Sequence, residues 1–321
     1  MTSRLLGVIV FPMFSMKGDV MDIGMVGLGR MGLNMALRIS KAGHKIVAYD
    51  PDEEARKSVE RDGVLAVSSL QELMQTLKPP RFIWVMVPSG SITEQTIETL
   101  STGLDIGDVV IDGGNSNYKD SVRRGSYLLE AGIGFLDVGT SGGIWGLENG
   151  YSIMVGGDRR IFEQLEPIFK ALAPGEDIGY GLVGPSGSGH FVKMIHNGIE
   201  YGLMQAYAEG FELMNAKEGY GLDLSQISEI WRHGSVVRSW LLDLTAEALS
   251  EDKNLDSVKP YVEDSGEGRW TVQESIELSV PAPVIALALQ MRFRSRQDNS
   301  FGSRLLAYMR NKFGGHAVRK A

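Results

Sequence analysis

From residue 21 onward the chain alternates between short apolar runs and longer stretches with helical periodicity. The runs at 22–26, 45–49, 81–90, 108–117 and 134–143 combine Val, Ile, Met and Phe and break off at Gly, Pro, Asn or Ser, the pattern of buried strands that open into turns. Between them, 33–41, 52–61, 70–77, 92–100 and 118–131 read as helices. Such alternation predicts an α/β fold: a doubly wound, mostly parallel sheet that holds ligands beyond the carboxyl ends of its strands. After Gly184-Pro185 the strand pattern stops. "GPSGSGHF" is small and flexible, and beyond it helices are expected over 186–217, 224–232, 239–248, 271–278 and 283–292. The chain thus divides into an extension (1–20), a sheet domain (21–184) and an all-α C-terminal domain (185–321).

The helix over 186–217 mixes two kinds of residue. Met194, Ile195, Ile199, Leu203 and Phe211 are core-type side chains, but Lys193, His196, Asn197, Glu200 and Tyr201 lie among them. At about 100° per residue those five fall within an arc of roughly 140°. Turned to solvent, the stripe makes an ordinary amphipathic helix. Turned to a pocket, it gathers an amine, an imidazole, an amide, a carboxylate and a phenol.

A second informative stretch is "MDIGMVGLGRMGLNMALRISKAGHKIVAYD". Gly27, Gly29 and Gly32, with Leu28, Arg30 and Met31 between them, spell G-x-G-x-x-G between a strand and a helix. The first glycine permits a tight turn, the second lets backbone approach a pyrophosphate, and the third lets helix and strand pack closely. The helix N-terminus presents N–H groups and a positive dipole end. Asp50 closes the second strand, 18 residues after Gly32 in the numbering, where a carboxylate can bond ribose hydroxyls and repel a 2′-phosphate. The sheet domain is therefore read as a Rossmann-type dinucleotide-binding domain that prefers NAD to NADP. Val87-Pro88-Ser89, Asn115 and Ser141-Gly142-Gly143 fall at the carboxyl ends of other predicted strands, where ligands sit.

Composition narrows the function. The 321 residues are 43% hydrophobic and carry a formal net charge of −8, with a pI near 5.3. No block of Lys and Arg stands out, which argues against a nucleic-acid partner or an anionic membrane surface. Cysteine is absent, so disulfides, thiolate catalysis and Cys-ligated metals are excluded, and a reducing compartment fits. "LLGVIVFPMF" near the start is weakly like a signal core but too short to span a bilayer, and an upstream start or an extension is expected there. Arg310 and His316, in a basic tail, read on composition alone as solvated residues.

The blocks "GLGRMGLNMAL", "IDGGNSNYKDSVRR", "TSGG", "GSGHFVKMIHNGIEYGLMQAYAE", "GEGRWT" and "MRNKFGGH" together resemble 6-phosphogluconate dehydrogenase, over about residues 22–316. The resemblance implies roles. Lys193 matches the general base and acid, and Glu200 the acid that protonates the enol. Ser141, Gly142 and Gly143 match the turn that holds the substrate carboxylate. Asn115, His196 and Asn197 match residues on sugar hydroxyls, and Tyr201, Arg269, Thr271 and Arg292 the phosphate cradle. Arg310 and His316 match a tail pair that completes a neighbouring subunit's site. The chain looks like the shorter, NAD-preferring branch, which the resemblance implies is a cytoplasmic homo-oligomer, at least a dimer and expected to be a tetramer, that uses no metal. It departs from the long forms in three places: Arg269 stands where they have lysine, Asp50 replaces the 2′-phosphate pattern, and "IWGLENGYSIMVGG" differs.

The expected activity is oxidative decarboxylation of the phosphorylated sugar acid to ribulose 5-phosphate and CO2. A rival reading is a non-decarboxylating β-hydroxyacid dehydrogenase acting on a small acid. Arg269, Arg292 and Arg310 weigh against it, because a small acid needs no such cluster. Another rival, a dinucleotide-binding sensor without activity, leaves the shared face of Lys193 and Glu200 unexplained.

Overall fold

The computed structural model describes residues 20–319, so the expected extension up to residue 19 lies outside the described residues. The described residues form two compact units, divided between His196 and Asn197. In the first unit the elements run β1 (Asp22–Val26), α1 (Arg30–Lys41), β2 (Lys45–Tyr49), α2 (Glu53–Glu60), β3 (Leu65–Val67), α3 (Leu70–Thr76), β4 (Phe82–Val85), α4 (Ser91–Ser101), β5 (Val109–Asp112), α5 (Tyr118–Glu130), β6 (Gly134–Ser141), α6 (Gly146–Asn149), β7 (Ser152–Gly157), α7 (Arg159–Leu172) and β8 (Tyr180–Gly184).

Among the described residues eight strands make one sheet in the order β3-β2-β1-β4-β5-β6-β7-β8. Neighbours pair in parallel except β6 with β7, so β7 and β8 run against the rest. The side-chain alternation of each strand feeds two cores. Ile23, Met25, Trp84, Ile111 and Leu136 face Met35 and Ile39 of α1 and Leu165 and Phe169 of α7. Val26, Ile83, Val85 and Val110 face Leu73, Ile97 and Leu128 of α3, α4 and α5. The predicted doubly wound sheet is present, and the chain reverses between β1 and β4, the switch point at which such sheets bind ligands. α1 begins at Arg30, earlier than periodicity places it, because its first turn belongs to the glycine motif.

α8 (Ser188–Asn215) runs for 28 residues. In the second unit it is followed by α9 (Leu224–Arg232), α10 (Trp240–Glu251), α11 (Glu267–Glu277), α12 (Pro283–Ser295) and α13 (Phe301–Gly314). α11 starts four residues before the expected 271, directly after Gly266 with its φ of 93°. Two small cores hold this unit: Tyr201 with Ala288 and Leu289, and Phe211 with Leu242 and Leu249. No described helix is long and apolar enough to cross a membrane.

Two of the core-type residues of α8 are exposed rather than buried. Ile199 and Leu203 are 53% and 48% exposed, whereas Lys193 and Tyr201 are each 5% exposed and His196, Asn197 and Glu200 are half-buried. Met194 and Phe211 are buried as core residues should be. The polar stripe is thus the enclosed face, and part of the apolar stripe is left in water.

Candidate active site

The glycine motif joins β1 to α1. Gly27 has a φ of 96°, and a Cβ on Gly32 would collide with the Gly27 carbonyl oxygen, so turn and helix close without side chains between them. A Cβ on Gly29, in contrast, would meet nothing within 4 Å, so the loop's outer side is open to a ligand. α2, α3, α5 and α7 are all capped by side chains, from Asp52, Ser69, Asn117 and Asp158. α1 has Gly29 at that position and no side-chain cap, so its first-turn N–H groups face the open loop. Asp50 sits beside it and accepts N–H from Leu28 (2.7 Å) and Asp52 (2.9 Å). A carboxylate keeps spare lone pairs in such an arrangement, so open cradle, bare helix end and carboxylate together fit the pyrophosphate and ribose of NAD.

Because β1, β4, β5 and β6 are parallel neighbours, their carboxyl ends line one edge. That edge brings together the Gly27–Gly32 loop, Val87 and Pro88, Asn115, and the turn from Ser141 through Gly142 and Gly143. Asn115 takes a left-handed φ of 51°. Its amide donates to the Thr140 carbonyl (3.2 Å) and its carbonyl accepts the Thr140 N–H (3.0 Å), which locks it to β6 just before Ser141. Lys193 reaches the same strand: a Cβ on Gly139 would collide with the Lys193 Cβ. The buried Lys193 side chain therefore starts beside Gly139, two residues from Ser141.

A buried arginine braces this edge, and reasoning from the sequence alone did not single it out. Arg124, buried on α5, donates to Asp112 Oδ2 (3.1 Å), Glu94 Oε2 (2.8 Å) and the Gly90 carbonyl (3.4 Å). Asp112, also buried, accepts from Gly114 N–H (3.1 Å) and from the Ser116 hydroxyl (2.8 Å), one residue on either side of Asn115. One guanidinium thus ties the loop after β4 to the loop after β5. The signal was present in the spacing: Ser121, Arg124 and Leu128 share the buried face of α5. Arg123, with Arg124 beside it, holds the Glu94 carboxyl down to about 2.

In the second unit, Asn197 donates to Glu267 Oε2, which also accepts from the Ser265 hydroxyl at 2.9 Å. The Tyr201 hydroxyl accepts the Ser265 N–H (3.2 Å), and the Arg292 guanidinium stacks 3.6 Å from the Tyr201 ring centroid. Thr271 is buried and donates to the Glu267 carbonyl at 2.9 Å. Tyr201, Thr271 and Arg292 are thus gathered with Asn197 about Ser265 and Glu267, two residues that the sequence reading passed over. Arg269 is held instead by Asp264, through Nε (2.8 Å) and Nη2 (3.0 Å), and Arg296 reaches the same carboxylate at 2.9 Å. Arg310, within α13, and His316, two residues beyond it, are exposed.

The Arg269 and Arg296 guanidiniums hold the Asp264 carboxyl down from 3.8 to about 2. A carboxyl lowered on folding adds stability that is complete above its ordinary pKa and is lost as pH falls through its folded one. Asp264→Asn should therefore be less stable than the parent at neutral pH, with the gap closing between about pH 4 and pH 2. Urea midpoints measured across that range check it; a gap that stays constant with pH rejects the pairing.

Residues 22–181 match the model of the NAD binding domain of 6-phosphogluconate dehydrogenase, and residues 189–318 match that of its C-terminal domain. The chain is 46% identical to the NAD(+)-dependent, decarboxylating 6-phosphogluconate dehydrogenase of Haloferax volcanii, over 94% of this chain and 99% of that one. Among solved structures, Plasmodium falciparum 6-phosphogluconate dehydrogenase, described with NADP+ and with its substrate 6-phosphogluconate, superposes with a TM-score of 0.79 at 30% identity. That match covers 94% of this chain and 66% of that one. Mycobacterium tuberculosis 3-hydroxyisobutyrate dehydrogenase shares the fold, with a TM-score of 0.71 at 20% identity over 87% of this chain and 95% of that one. With both halves of the sequence matched to one enzyme's two domains, and a relative covered almost end to end at this identity, the chain belongs to the 6-phosphogluconate dehydrogenase family.

Proposed function

We propose that the chain catalyses the NAD-dependent oxidative decarboxylation of 6-phosphogluconate to ribulose 5-phosphate and CO2. Residues 21–184 form the nucleotide-binding domain, which also lends Asn115 and the turn 141–143 to the sugar acid, and 185–321 form the helical substrate and oligomerisation domain. The observation that carries the reading is the buried Lys193, whose side-chain stem packs on Gly139, two residues before the turn of Ser141, Gly142 and Gly143.

Bound NAD would supply the hydride acceptor. Backbone N–H groups of the Gly27–Gly32 loop hold its pyrophosphate, and Asp50 takes the ribose hydroxyls. Ser141, Gly142 and Gly143 hold the substrate carboxylate, and Asn115, His196 and Asn197 the hydroxyls. Tyr201, Thr271 and Arg292 lie on the phosphate side, where Arg269 reaches only by sharing or leaving Asp264. Neutral Lys193 removes the proton of the C3 hydroxyl as the C3 hydrogen departs with its electron pair, leaving a ketone. The same group, now an ammonium, donates to the ketone oxygen. The bond from C2 to the carboxylate carbon breaks, CO2 leaves, and the electron pair passes into an enediol. Glu200 then protonates the carbon that lost CO2. Lys193 and Glu200 are two turns apart on the unbroken α8, about 10 Å along the axis, a span that two long side chains bridge around a three-carbon unit.

The chain works as a homo-oligomer in the cytoplasm, the reducing compartment that a cysteine-free chain suits. α13 supports assembly: Phe301, Leu305, Leu306, Tyr308, Met309 and Phe313 are all exposed on it, an apolar surface that a second copy would cover. Arg310 and His316, carried there, then enter the neighbouring site.

The test is an assay with 6-phosphogluconate, run with NAD and with NADP, that follows reduced nucleotide and trapped CO2 together. One CO2 per reduced nucleotide, with NAD the better acceptor, is expected. Reduction without CO2 replaces this reading with a non-decarboxylating dehydrogenase, and no reduction rejects both.

A further inference from the structure

Asp137 takes no part in the chemistry above, yet it is fully buried in the middle of β6. In the parallel ladder it pairs with Asp112 of β5, so two enclosed carboxylates stand on adjacent strands. Each is compensated differently. Asp112 meets the Arg124 guanidinium. Asp137 accepts N–H from Gly187 (2.6 Å, Oδ1) and from His190 (2.9 Å, Oδ2), at the start of α8. A carboxylate there satisfies two donors that the helix leaves unpaired, and it faces the positive end of the helix dipole.

The contact beneath is close. A Cβ on Gly189 would collide with the carbonyl oxygens of Asp137 and Met154, and one on Gly139 would collide with Lys193. The opening turns of α8 therefore lie directly on the backbone of β6 and β7. His190, buried, adds a lateral tie: its Nδ1 is 2.7 Å from the Ser121 hydroxyl on α5. Lys193 follows His190 by three residues, one turn along the same face.

We propose that Asp137 is a positioning residue for Lys193: through Gly187 and His190 it fixes the rotation and height of α8, and so the place of the amine over β6. The inference rests on Lys193 being the base. A displacement of the order of 1 Å can cost about a hundredfold in rate, so a single buried cap has kinetic leverage.

Asp137→Asn keeps the shape but turns an amide NH2 toward one of the two backbone donors. It should lower kcat by about 10- to 100-fold and leave the KM for NAD within about twofold, since the Gly27–Gly32 loop is untouched. In a Lys193→Met background it should have no further effect, because two changes acting through one group are not additive. A folded D137N enzyme with parental kcat overturns the proposal. So does a loss that persists in the Lys193→Met background, which marks a general structural role. If K193M itself keeps parental turnover, the base assignment falls and this inference falls with it, an outcome distinct from either of those. Should D137N not fold, hydrogen exchange on the parent protein decides: Gly187 and His190 amides exchanging as slowly as those of β6 support the cap, and fast exchange removes it.

Discussion

Lys193→Met should lower turnover of 6-phosphogluconate by about a thousandfold while the Kd for NAD stays within about twofold. Methionine keeps the length and apolar stem that lie against Gly139, so the seat of α8 is preserved and only the proton-transfer group is lost. The step affected is the first one, because without a base the C3 hydroxyl keeps its proton and hydride transfer stalls. An effect confined to the chemical step lowers kcat and kcat/KM together, unlike loss of uniform binding, which raises KM alone. Single-turnover kinetics with saturating substrate, paired with calorimetric titration of NAD, separate the two. Near-parental turnover in this variant would remove Lys193 from the mechanism.

Arg124→Ala should be the most damaging change away from the chemistry. The guanidinium and the Asp112 carboxylate are both buried, and removal of one partner leaves the other charge enclosed and unpaired. Such deletions cost about 3–5 kcal/mol, so the melting temperature should fall by about 10 °C. Activity should fall as well, since the Gly90 and Asn115 loops lose their common brace. Removing both charges in an Asp112→Asn, Arg124→Met double variant should recover part of the stability, because no lone charge remains. Thermal melts of the three proteins decide it. A single variant within 2 °C or so of the parent would mean that water or a neighbouring group replaces the guanidinium, against the geometry seen here.

The first half of the sheet was legible because two local signals agree there. β1, α1 and β2 have the apolar runs and periodicity of their elements, and the glycine motif marks the turn between them. β3 has only three residues, too few for a period to show. β7 (SIMVGG) and β8 (YGLVG) are rich in glycine, and α7 carries Pro167 inside it, so this part of the sheet gave no clear pattern. α8 shows a different limit. Periodicity reveals that a helix has two unlike faces, but it does not say which is enclosed, and apolar Ile199 and Leu203 proved to be the exposed ones.

Among the candidate site residues, those grouped by local spacing could be singled out as candidates from the sequence. Gly27, Gly29, Gly32 and Asp50 are one case; Lys193, His196, Asn197, Glu200 and Tyr201 are another. Charges that matter through a partner distant in sequence could not. Asp137 is paired with an amide 50 residues away, and Glu267 with Asn197 at a separation of 70. Asp264 and Arg269 are only five apart, but that spacing alone does not distinguish an ion pair from two solvated charges.

α13, finally, has 14 residues, and every position from 301 to 310 is open to water. A peptide of that length holds its helix only marginally without packing. In the homo-oligomer proposed above a second copy would cover it, and the order of the tail would then be a matter of mass action. Dilution would then loosen the last helix before the body of the protein, and specific activity per chain would decline with it.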